Sequence, residues 1–368
     1  MTVICHAEIC EIPTIIGDLL ITAPDAPTRE VAIPIARDIN RFVTPTDRAV
    51  VGLRQKVNII SDCLAVAWSG SLAQAEDVIP SLQPLAALEE LNADLVKKVL
   101  ESVESARKNA LSLIVLVAHP RGDTYLLLHN VAPPQNFGKI SKVAIAGSGR
   151  RTMLEVLQHL GRDQNLKEPV DVEMTSKGAA LTIVGLMGGE ELRSANPIRE
   201  GWGGSFEIAR FADGRFSKIG KQLFLYFRVK RADTGFDLWW LPFFRTVNYW
   251  NDVACVRAIQ HTITKKNLLD RGREDIFLVT PLGFDNPDFT RFTAPAIMDH
   301  SWVVTYVFGA PSDDDVMSHV AHWGGPLFSY DFVNTHAKIA WRSDFLPDLC
   351  LRLSERLGAI PKFRGIGY

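Results

Sequence analysis

Short apolar runs separated by turn residues dominate the N-terminal part of the chain, and their period predicts strands. The opening run TVICHAEI is rich in β-branched residues, and PTIIGDLLIT is predicted as its antiparallel neighbour. LRQKVNIISDCLAVAWSG predicts two strands that turn at SD, and ALSLIVLVAHPRGDTYLLLHN predicts a hairpin that turns at PRGD. KVAIAGSG predicts a strand that ends in glycines, and GGSFEIARFADGRFSKI predicts a hairpin with its turn at ADG.

A helical period interrupts these strands twice. After Gly70, SLAQAEDVIPSLQPLAALEEL predicts a helix with a proline break, and NADLVKKVLESVESARKN predicts a second helix with Asn92 as its N-cap. RRTMLEVLQHLG and SKGAALTIVGLMGGEELRSA predict the second pair. Two stacked sheets with a helical layer on each outer face would bury all of these elements. We therefore expect an α+β fold, a four-layer αββα sandwich of two mostly antiparallel sheets, with an additional C-terminal region.

The pattern changes near residue 228. RADTGFDLWWLPFFRTVNYW is densely aromatic, and the sequence after it shows no clear period. We place a domain boundary there, which predicts domains at 1–228 and 229–368, the second being an extension or a domain of unknown role. Trp239, Trp240, Phe243 and Phe244 are predicted to belong to a core or to a subunit interface.

Composition and charge narrow the class of protein. Apolar residues make up 47% and charged residues 22% of the 368 residues, as in ordinary globular proteins. The net charge of −2 gives no reason to expect nucleic acid or an anionic membrane as a partner. No apolar run is long enough for a transmembrane helix, and the first residues do not resemble a signal peptide. Five scattered cysteines predict reduced thiols, and hence a cytoplasmic protein.

Metal and cofactor signals are weak, and we expect no cofactor. His319 and His322 in HVAHW are three residues apart and would share one face of a helix, where the two imidazoles would be candidate metal ligands. No third ligand is evident near them. The acidic run SDDD at 312–315 is predicted to be a solvated loop or helix start. Cys5 and Cys10 lack an obvious histidine partner and are predicted to pack in the core.

Four N-terminal segments carry reactive residues or glycines in a particular order. Thr2 follows Met1, IIGDLLIT contains Asp18, KVNIISDCLAVAWSG runs from Lys56 to a glycine, and AIAGSG contains Ser148. In order and spacing these segments resemble the N-terminal-nucleophile hydrolases, in particular the threonine peptidases of the proteasome β-subunit and HslV type. The resemblance covers about residues 2–225, and it too implies the αββα sandwich.

The resemblance assigns a role to each of these positions. Thr2 would be the catalytic residue and the first residue of the mature chain once Met1 is removed. Asp18 would hold Lys56, and the Gly70 backbone N–H would donate to the oxyanion, a contact typically worth about 3–4 kcal/mol. Ser148 occupies the position of the serine in the family's Gly-Ser-Gly element. Its alternative role is to cap the helix that follows.

The segment REGWGGSF departs from the family pattern, which has an Arg-Asp pair, then a serine, then two glycines. Glu200 stands for the aspartate, but the spacing is one residue short. Trp202 replaces the serine, or the serine is missing. Glu200 is therefore a candidate supporting carboxylate, and a surface or interface carboxylate is its alternative assignment.

The chemistry explains why such a nucleophile must be N-terminal. A threonine hydroxyl is a poor nucleophile and needs a base beside it. A free α-amine has a pKa of about 7.7–8.0, so it can accept the hydroxyl proton near neutral pH. Lys56, kept charged, would lower the pKa of both groups. The expected reaction is acyl transfer to Thr2 followed by hydrolysis.

Partners and alternatives also follow from the resemblance. Relatives of this type form rings, often served by an ATP-dependent unfoldase, so the resemblance implies a peptide or protein substrate and a homo-oligomer. One alternative is a non-catalytic subunit that keeps the fold as a binding scaffold. Another is an amidase for a small substrate, which uses the same N-terminal chemistry without a closed chamber.

Overall fold

The structure is a computed structural model. It describes residues 2–24, 31–34, 48–88, 91–107, 109–119, 123–162, 171–193, 196–263, 269–283, 288–297, 299–309, 316–333 and 336–366. The chain divides into two compact units. The first contains residues 1–219, 251–253 and 279–291, and the second contains residues 220–250, 254–278 and 292–368. The chain thus leaves the first unit after residue 219 and returns to it at residues 251–253 and 279–291. The sequence predicted a single boundary near residue 228.

The first unit contains twelve strands and five helices within the described residues. The strands are β1 (Val3–Ile9), β2 (Ile12–Asp18), β3 (Leu20–Pro24), β4 (Arg48–Leu53), β5 (Val57–Ser61), β6 (Leu64–Gly70), β7 (Leu111–Ala118), β8 (Thr124–His129), β9 (Gln135–Phe137), β10 (Ile140–Gly147), β11 (Phe206–Ala212) and β12 (Arg215–Lys218). The helices are α1 (Leu72–Leu82), α2 (Ala93–Ser102), α3 (Arg150–Arg162), α4 (Val172–Arg193) and α5 (Asn196–Arg199). Short 3₁₀ segments lie at Gln83–Ala87, Glu104–Arg107 and Phe289–Arg291.

These strands form three sheets. A six-stranded sheet has the order β12-β11-β2-β1-β10-β9, a four-stranded sheet has the order β5-β6-β7-β8, and β3 pairs with β4. Neighbours within the two larger sheets run antiparallel. Because β1 lies at the centre of the six-stranded sheet and β2 beside it, the chain's first residues are held on both sides by ladder hydrogen bonds.

Two large apolar clusters make up most of the described core of the first unit, and a smaller one surrounds Leu20. One joins both large sheets and includes Ile4 and Ile15 from the six-stranded sheet with Ile114 and Leu116 from the four-stranded sheet. The other joins the four-stranded sheet to α1 and α2 and includes Trp68. Strands β1, β6 and β7 are buried along most of their length. They are covered on both faces, which is why their sequences are nearly continuous in apolar residues rather than alternating.

Within its described residues, the second unit contains one nine-stranded sheet and one helix. Its elements are β13 (Gln222–Ala232), β14 (Gly235–Trp250), β15 (Val253–Ile263), β16 (Leu269–Val279), β17 (Trp302–Phe308), β18 (Val316–His322), β19 (Phe328–Val333), β20 (His336–Trp341), β21 (Lys362–Ile366) and α6 (Phe345–Leu357). The order is β18-β17-β13-β14-β15-β16-β20-β19, and β21 pairs with β14. Pairing of β13 with β17 and of β14 with β21 is parallel.

Aromatic side chains form the core of this second unit. Trp240 and Phe244 of β14 are buried together with Phe345 of α6. The rings of Trp341 and Phe345 stack with their centroids 5.5 Å apart, which joins β20 to α6. Of the four aromatic residues expected in a core or interface, Trp240, Phe243 and Phe244 are core residues, whereas Trp239 is only half-buried.

The expected four-layer αββα sandwich is wrong. Strands far outnumber helices, and the described strands form sheets of six, nine, two and four strands. The error lies mainly in the C-terminal residues, where the sequence shows no clear period. Together with β13 they form the largest of the described sheets, with strands of up to 16 residues, where we expected only an additional region beside two mostly antiparallel sheets. Aromatic and β-branched residues favour such long strands even where no alternation is visible.

Several local expectations are confirmed. The Asn92 side chain caps α2 by accepting from the Leu95 N–H at 2.9 Å. Strands β5 and β6 turn at Asp62–Cys63, one residue after the expected SD, and β11 and β12 turn at Asp213–Gly214 within the expected ADG. The helix expected to break at a proline instead runs through Pro80 to Leu82. The PRGD turn and the SDDD segment lie outside the described residues, the former in part.

His319 and His322, which would share a face only on a helix, both lie in β18. Side chains three apart on a strand point to opposite faces of the sheet, so the two histidines cannot share a metal in the way proposed. Within the part of the chain that the structure describes, no group of three His, Cys, Asp or Glu side chains is placed to hold a metal. Within the same residues, no helix is both long and apolar enough to cross a membrane.

Candidate active site

The site begins where β1 starts beside the end of β2. Antiparallel pairing places Ile4 opposite Gly17, so that Asp18 lies next to Thr2 and Val3. The Thr2 hydroxyl donates to Asp18 Oδ1, and the Val3 N–H donates to the same oxygen at 2.9 Å. Both Thr2 and Asp18 are buried. The Asp18 carboxylate therefore fixes the side chain and the following backbone of the candidate nucleophile.

Lys56 approaches this carboxylate from the start of β5. Its Nζ lies 3.7 Å from Asp18 Oδ1 and donates to the Leu20 carbonyl at 2.6 Å. The ammonium group also lies 5.2 Å from the centre of the Trp68 ring, a cation–π contact. Burial lowers the pKa of Lys56 below its ordinary value, while the negative charges of Asp18 and Glu207 oppose that shift. Lys56 and Thr2 thus contact one oxygen of Asp18.

The other carboxylate oxygen is held by the REGWGGSF segment. The Gly203 N–H donates to Asp18 Oδ2 at 2.9 Å, and the Gly203 carbonyl accepts from the Leu20 N–H at 3.0 Å. Gly203 has a φ of +115°, and a Cβ at this position would lie 2.3 Å from Glu191 Oε1. A glycine is required here because both the backbone conformation and the neighbouring side chain exclude a larger residue. We call Thr2, Asp18, Lys56 and Gly203 the threonine cluster.

Ser148 lies next to Thr2 but contacts its backbone. The Ser148 hydroxyl donates to the Thr2 carbonyl at 3.3 Å, and the Gly149 N–H donates to the same carbonyl at 3.3 Å. The carbonyl is therefore fixed by the segment between β10 and α3. This contact suits a supporting residue that orients Thr2, and it brings Ser148 to the threonine cluster as the sequence order predicted.

Gly70 ends β6 and is exposed. Its φ is +103°, and a Cβ there would lie 2.0 Å from the Ala110 carbonyl oxygen. The structure therefore requires a glycine at this position, because the Ala110 backbone passes too close for a side chain. That reason neither requires nor opposes a role for its N–H as an oxyanion donor.

The structure places Glu200 at the surface rather than in the threonine cluster. Its carboxylate accepts from the indole N–H of the buried Trp202 at 3.0 Å. The residue of this segment that reaches Asp18 is Gly203, through its backbone. A backbone N–H thus occupies the place in which the sequence suggested a carboxylate.

No family model matches the chain, and no curated protein does either. The case for a function therefore depends on the geometry of the threonine cluster and on the groups around it.

Two charged residues near the threonine cluster were missed by sequence reasoning. Glu207 on β11 and Lys218 at the end of β12 form a buried ion pair, which we call the Glu207–Lys218 pair. Burial raises the pKa of Glu207, while the charge of Lys218 and three hydrogen bonds to the carboxylate oppose that shift. The signal was present in the predicted ADG hairpin, because Ala209 pairs with Lys218 and Glu207 lies two residues away on the same face.

The cysteines near the N-terminus do not supply an alternative nucleophile in this site. Cys5 is buried on β1, its thiol contacts the His6 carbonyl, and burial raises its pKa well above the ordinary value. Cys10 lies at the far end of the β1–β2 hairpin, and burial raises its thiol pKa as well. A raised thiol pKa leaves little of the reactive thiolate at neutral pH.

His6, buried on β1, predicts a specific loss of stability in mild acid. Its ring Nδ1 lies 3.1 Å from the Thr14 carbonyl, and burial lowers its pKa from 6.5 to about 4. As pH falls below 6.5 the unfolded chain binds a proton that the folded chain does not bind until about pH 4. Unfolding free energy should therefore fall by about 3 kcal/mol across this range because of His6 alone.

Urea unfolding of wild type and His6→Asn at pH 7 and pH 4.5 checks this expectation. Asparagine keeps a donor near the Thr14 carbonyl but does not titrate. His319, whose pKa burial also lowers to about 4, is present in both proteins and cancels in the comparison. Equal acid sensitivity of the two proteins would contradict the assignment to His6.

Proposed function

We propose that this chain is an N-terminal threonine hydrolase, acting on peptide bonds. The observation that carries the proposal is the convergence of Thr2 Oγ1 and Lys56 Nζ on one oxygen of the buried Asp18 carboxylate. A hydroxyl beside a fixed ammonium group, on the residue that removal of Met1 makes N-terminal, is the arrangement that this chemistry needs. The same arrangement suits an amidase for a small substrate.

In the proposed reaction Thr2 Oγ1 attacks the carbonyl carbon of the substrate. The hydroxyl proton passes to the free α-amine of Thr2, and the electron pair of the carbonyl moves onto its oxygen. Collapse of the tetrahedral adduct breaks the C–N bond, and the leaving amine takes the proton from the α-ammonium. Water then attacks the ester at Thr2 by the same sequence, which releases the acid and restores the hydroxyl.

The other residues would orient these groups and stabilise charge. Lys56 places a positive charge near the Thr2 hydroxyl and favours its deprotonation. Asp18 holds Lys56, and Ser148 holds the Thr2 carbonyl. The exposed Gly70 lies at the end of β6 and is the proposed oxyanion donor through its N–H.

We further propose a cytoplasmic location and a homo-oligomer that acts on peptides, with an ATP-dependent unfoldase as a possible partner in the case of protein substrates. The five cysteines are all free, which suits a reducing compartment. The assembly and its partners rest on the resemblance described from the sequence.

Intact mass spectrometry tests the proposal. The purified chain should be lighter than the full sequence by one methionine residue, because the mechanism requires a free amine on Thr2. Treatment with a threonine-directed β-lactone should add one label, and peptide mapping should place it on Thr2. Chain unfolded in urea before treatment is the control and should not be labelled there. Retained Met1 together with an unlabelled Thr2 would overturn the proposal.

A second candidate function is a non-catalytic scaffold. Thr2 is only 1% exposed, and its hydroxyl donates to a carboxylate rather than facing a groove. A threonine used in this way stabilises the start of β1 without any reaction. The labelling experiment separates the two functions, because a scaffold leaves Thr2 unreactive in the folded chain.

A further inference from the structure

The Glu207–Lys218 pair is buried next to the backbone of Lys56. Glu207 Oε1 accepts from the backbone N–H of Lys56 at 2.5 Å and from that of Val57 at 2.6 Å. Glu207 Oε2 accepts from Lys218 Nζ. One carboxylate therefore fixes two consecutive backbone groups at the start of β5, where the side chain of Lys56 leaves the strand.

Lys218 extends the same network along the segment that carries Lys56. Its Nζ donates to the Val57 carbonyl at 2.6 Å and to Gln55 Oε1 at 2.7 Å. The Gln55 amide in turn donates to the Asp252 and Val279 carbonyls, both at 2.6 Å. All of these groups belong to the first unit. Residues 55–57 are thus held by hydrogen bonds from both members of the ion pair.

A buried ion pair is a costly way to hold a strand, since well-packed apolar residues of similar volume often stabilise a fold equally well. The charges here have a second effect, because Lys56 is itself buried. The charges that act on it are those of Asp18 from β2 and Glu207 from β11, and Glu207 is in turn paired with Lys218 from β12. Two carboxylates and two ammonium groups, Lys56 included, leave the buried group without net charge.

We infer that Glu207 and Lys218 are positioning residues for Lys56: together they fix the backbone that presents it, and the Glu207 carboxylate keeps its ammonium group charged beside Asp18. The inference rests on the proposed function in one respect, namely that the charge of Lys56 favours deprotonation of the Thr2 hydroxyl. Its structural part, the control of Lys56 by the pair, can be tested in a protein with or without hydrolytic activity.

NMR titration of Lys56 tests this control. Lysine labelled with ¹³C at Cε reports the charge of each side chain, and Lys56→Arg identifies the Lys56 signal by its loss. In Glu207→Gln the amide oxygen still accepts from the two backbone N–H groups, but Lys218 remains as an excess positive charge. The Lys56 midpoint should move to lower pH. In Glu207→Gln with Lys218→Met both charges are gone, and the midpoint should move back toward wild type.

Two further variants complete the design. Lys218→Met alone leaves the negative charge of Glu207 in place, so the Lys56 midpoint should be equal to or above that of wild type. Glu8→Gln removes one member of the Glu8–Lys142 ion pair, which lies between β1 and β10 and has a half-exposed lysine. This control should leave the Lys56 midpoint unchanged. If the pair acted only through structure, the Lys56 midpoint in the Glu207→Gln, Lys218→Met double variant would not move back toward the wild-type value. That result would overturn the inference, and so would a Lys56 midpoint that does not move in Glu207→Gln.

Labelling of Thr2 by the β-lactone, followed against pH, separates this inference from the proposed function. If both hold, Glu207→Gln should lose about tenfold in labelling rate at the alkaline end of the profile, with recovery in the double variant. If wild type is not labelled while the Lys56 midpoints move as expected, the proposed function fails and the positioning of Lys56 stands. If wild type is labelled on Thr2 and the Lys56 midpoints do not move, the positioning of Lys56 fails and the proposed function stands.

Discussion

Replacing Thr2 by alanine is expected to lower kcat for peptide reporters by at least about 10³-fold, with little change in KM. The substitution removes the only atom that can form the ester intermediate and leaves the α-amine in place. Asp18 keeps its hydrogen bond from the Val3 N–H. The cost to stability should therefore be only about 1 kcal/mol, the usual value of one hydrogen bond. Steady-state hydrolysis and urea unfolding of the same preparation measure both effects.

Thr2→Ser is the matched control for this experiment. Serine keeps the hydroxyl and the α-amine on one residue, so we expect this variant to retain both hydrolysis and labelling by the β-lactone. Alanine and serine variants should unfold at similar urea concentrations. Unchanged hydrolysis in Thr2→Ala would show that the activity resides elsewhere and would remove Thr2 from the mechanism.

The parts of the fold that were predictable depend on neighbours in sequence. Asn92 caps α2 through an N–H three residues away, and the β11–β12 hairpin turns at Asp213–Gly214. Both features are fixed by the local preferences of asparagine, aspartate and glycine for caps and turns. A window of a few residues contains all of the information needed for these predictions.

The nine-stranded sheet depends instead on distant pairing. Strand β13 pairs in parallel with β17, with Gln222 opposite Trp302 and Arg228 opposite Phe308. Strand β21, near the end of the chain, pairs with β14. Nothing in the local period of either segment selects its partner, because register across such distances is set by packing of the whole core. The aromatic run in β14 therefore predicted burial but not a sheet of this size.

The candidate site shows the same division. The spacing of Thr2, Asp18 and Lys56 in the sequence anticipated residues that the structure brings together. The group that holds Asp18 from the other side is a backbone N–H of Gly203, and backbone donors have no signature in residue type. Glu207 was missed for another reason. A glutamate between apolar neighbours in a predicted strand is usually solvent-facing, and only the position of Lys218 across the hairpin indicates otherwise.

Replacing Asp18 by asparagine is expected to destabilise the first unit by about 3–5 kcal/mol, because it leaves the ammonium group of Lys56 without its nearest counter-charge. The asparagine Oδ1 can still accept from the Thr2 hydroxyl and the Val3 N–H. Its amide group, however, would face the Gly203 N–H, where the wild-type carboxylate accepts at 2.9 Å. Two donors would then meet in the interior. Urea unfolding combined with hydrogen exchange of β1 and β2 peptides measures the loss where it should occur.

A double-mutant cycle of Asp18→Asn with Lys56→Met tests whether the lost charge causes the destabilisation. Methionine has a similar apolar stem and no charge, so Asp18→Asn with Lys56→Met should be more stable than the sum of the two single changes predicts, by about 1–3 kcal/mol. The Glu8–Lys142 pair, whose lysine is half-exposed, provides the comparison, and its double-mutant cycle should give about 0–1 kcal/mol. Additive effects in the Asp18–Lys56 cycle would mean that the carboxylate acts only as a hydrogen-bond acceptor. Lys56 would then owe its position to the Leu20 carbonyl and the Glu207–Lys218 pair, and Asp18 would be required for the conformation of Thr2 alone.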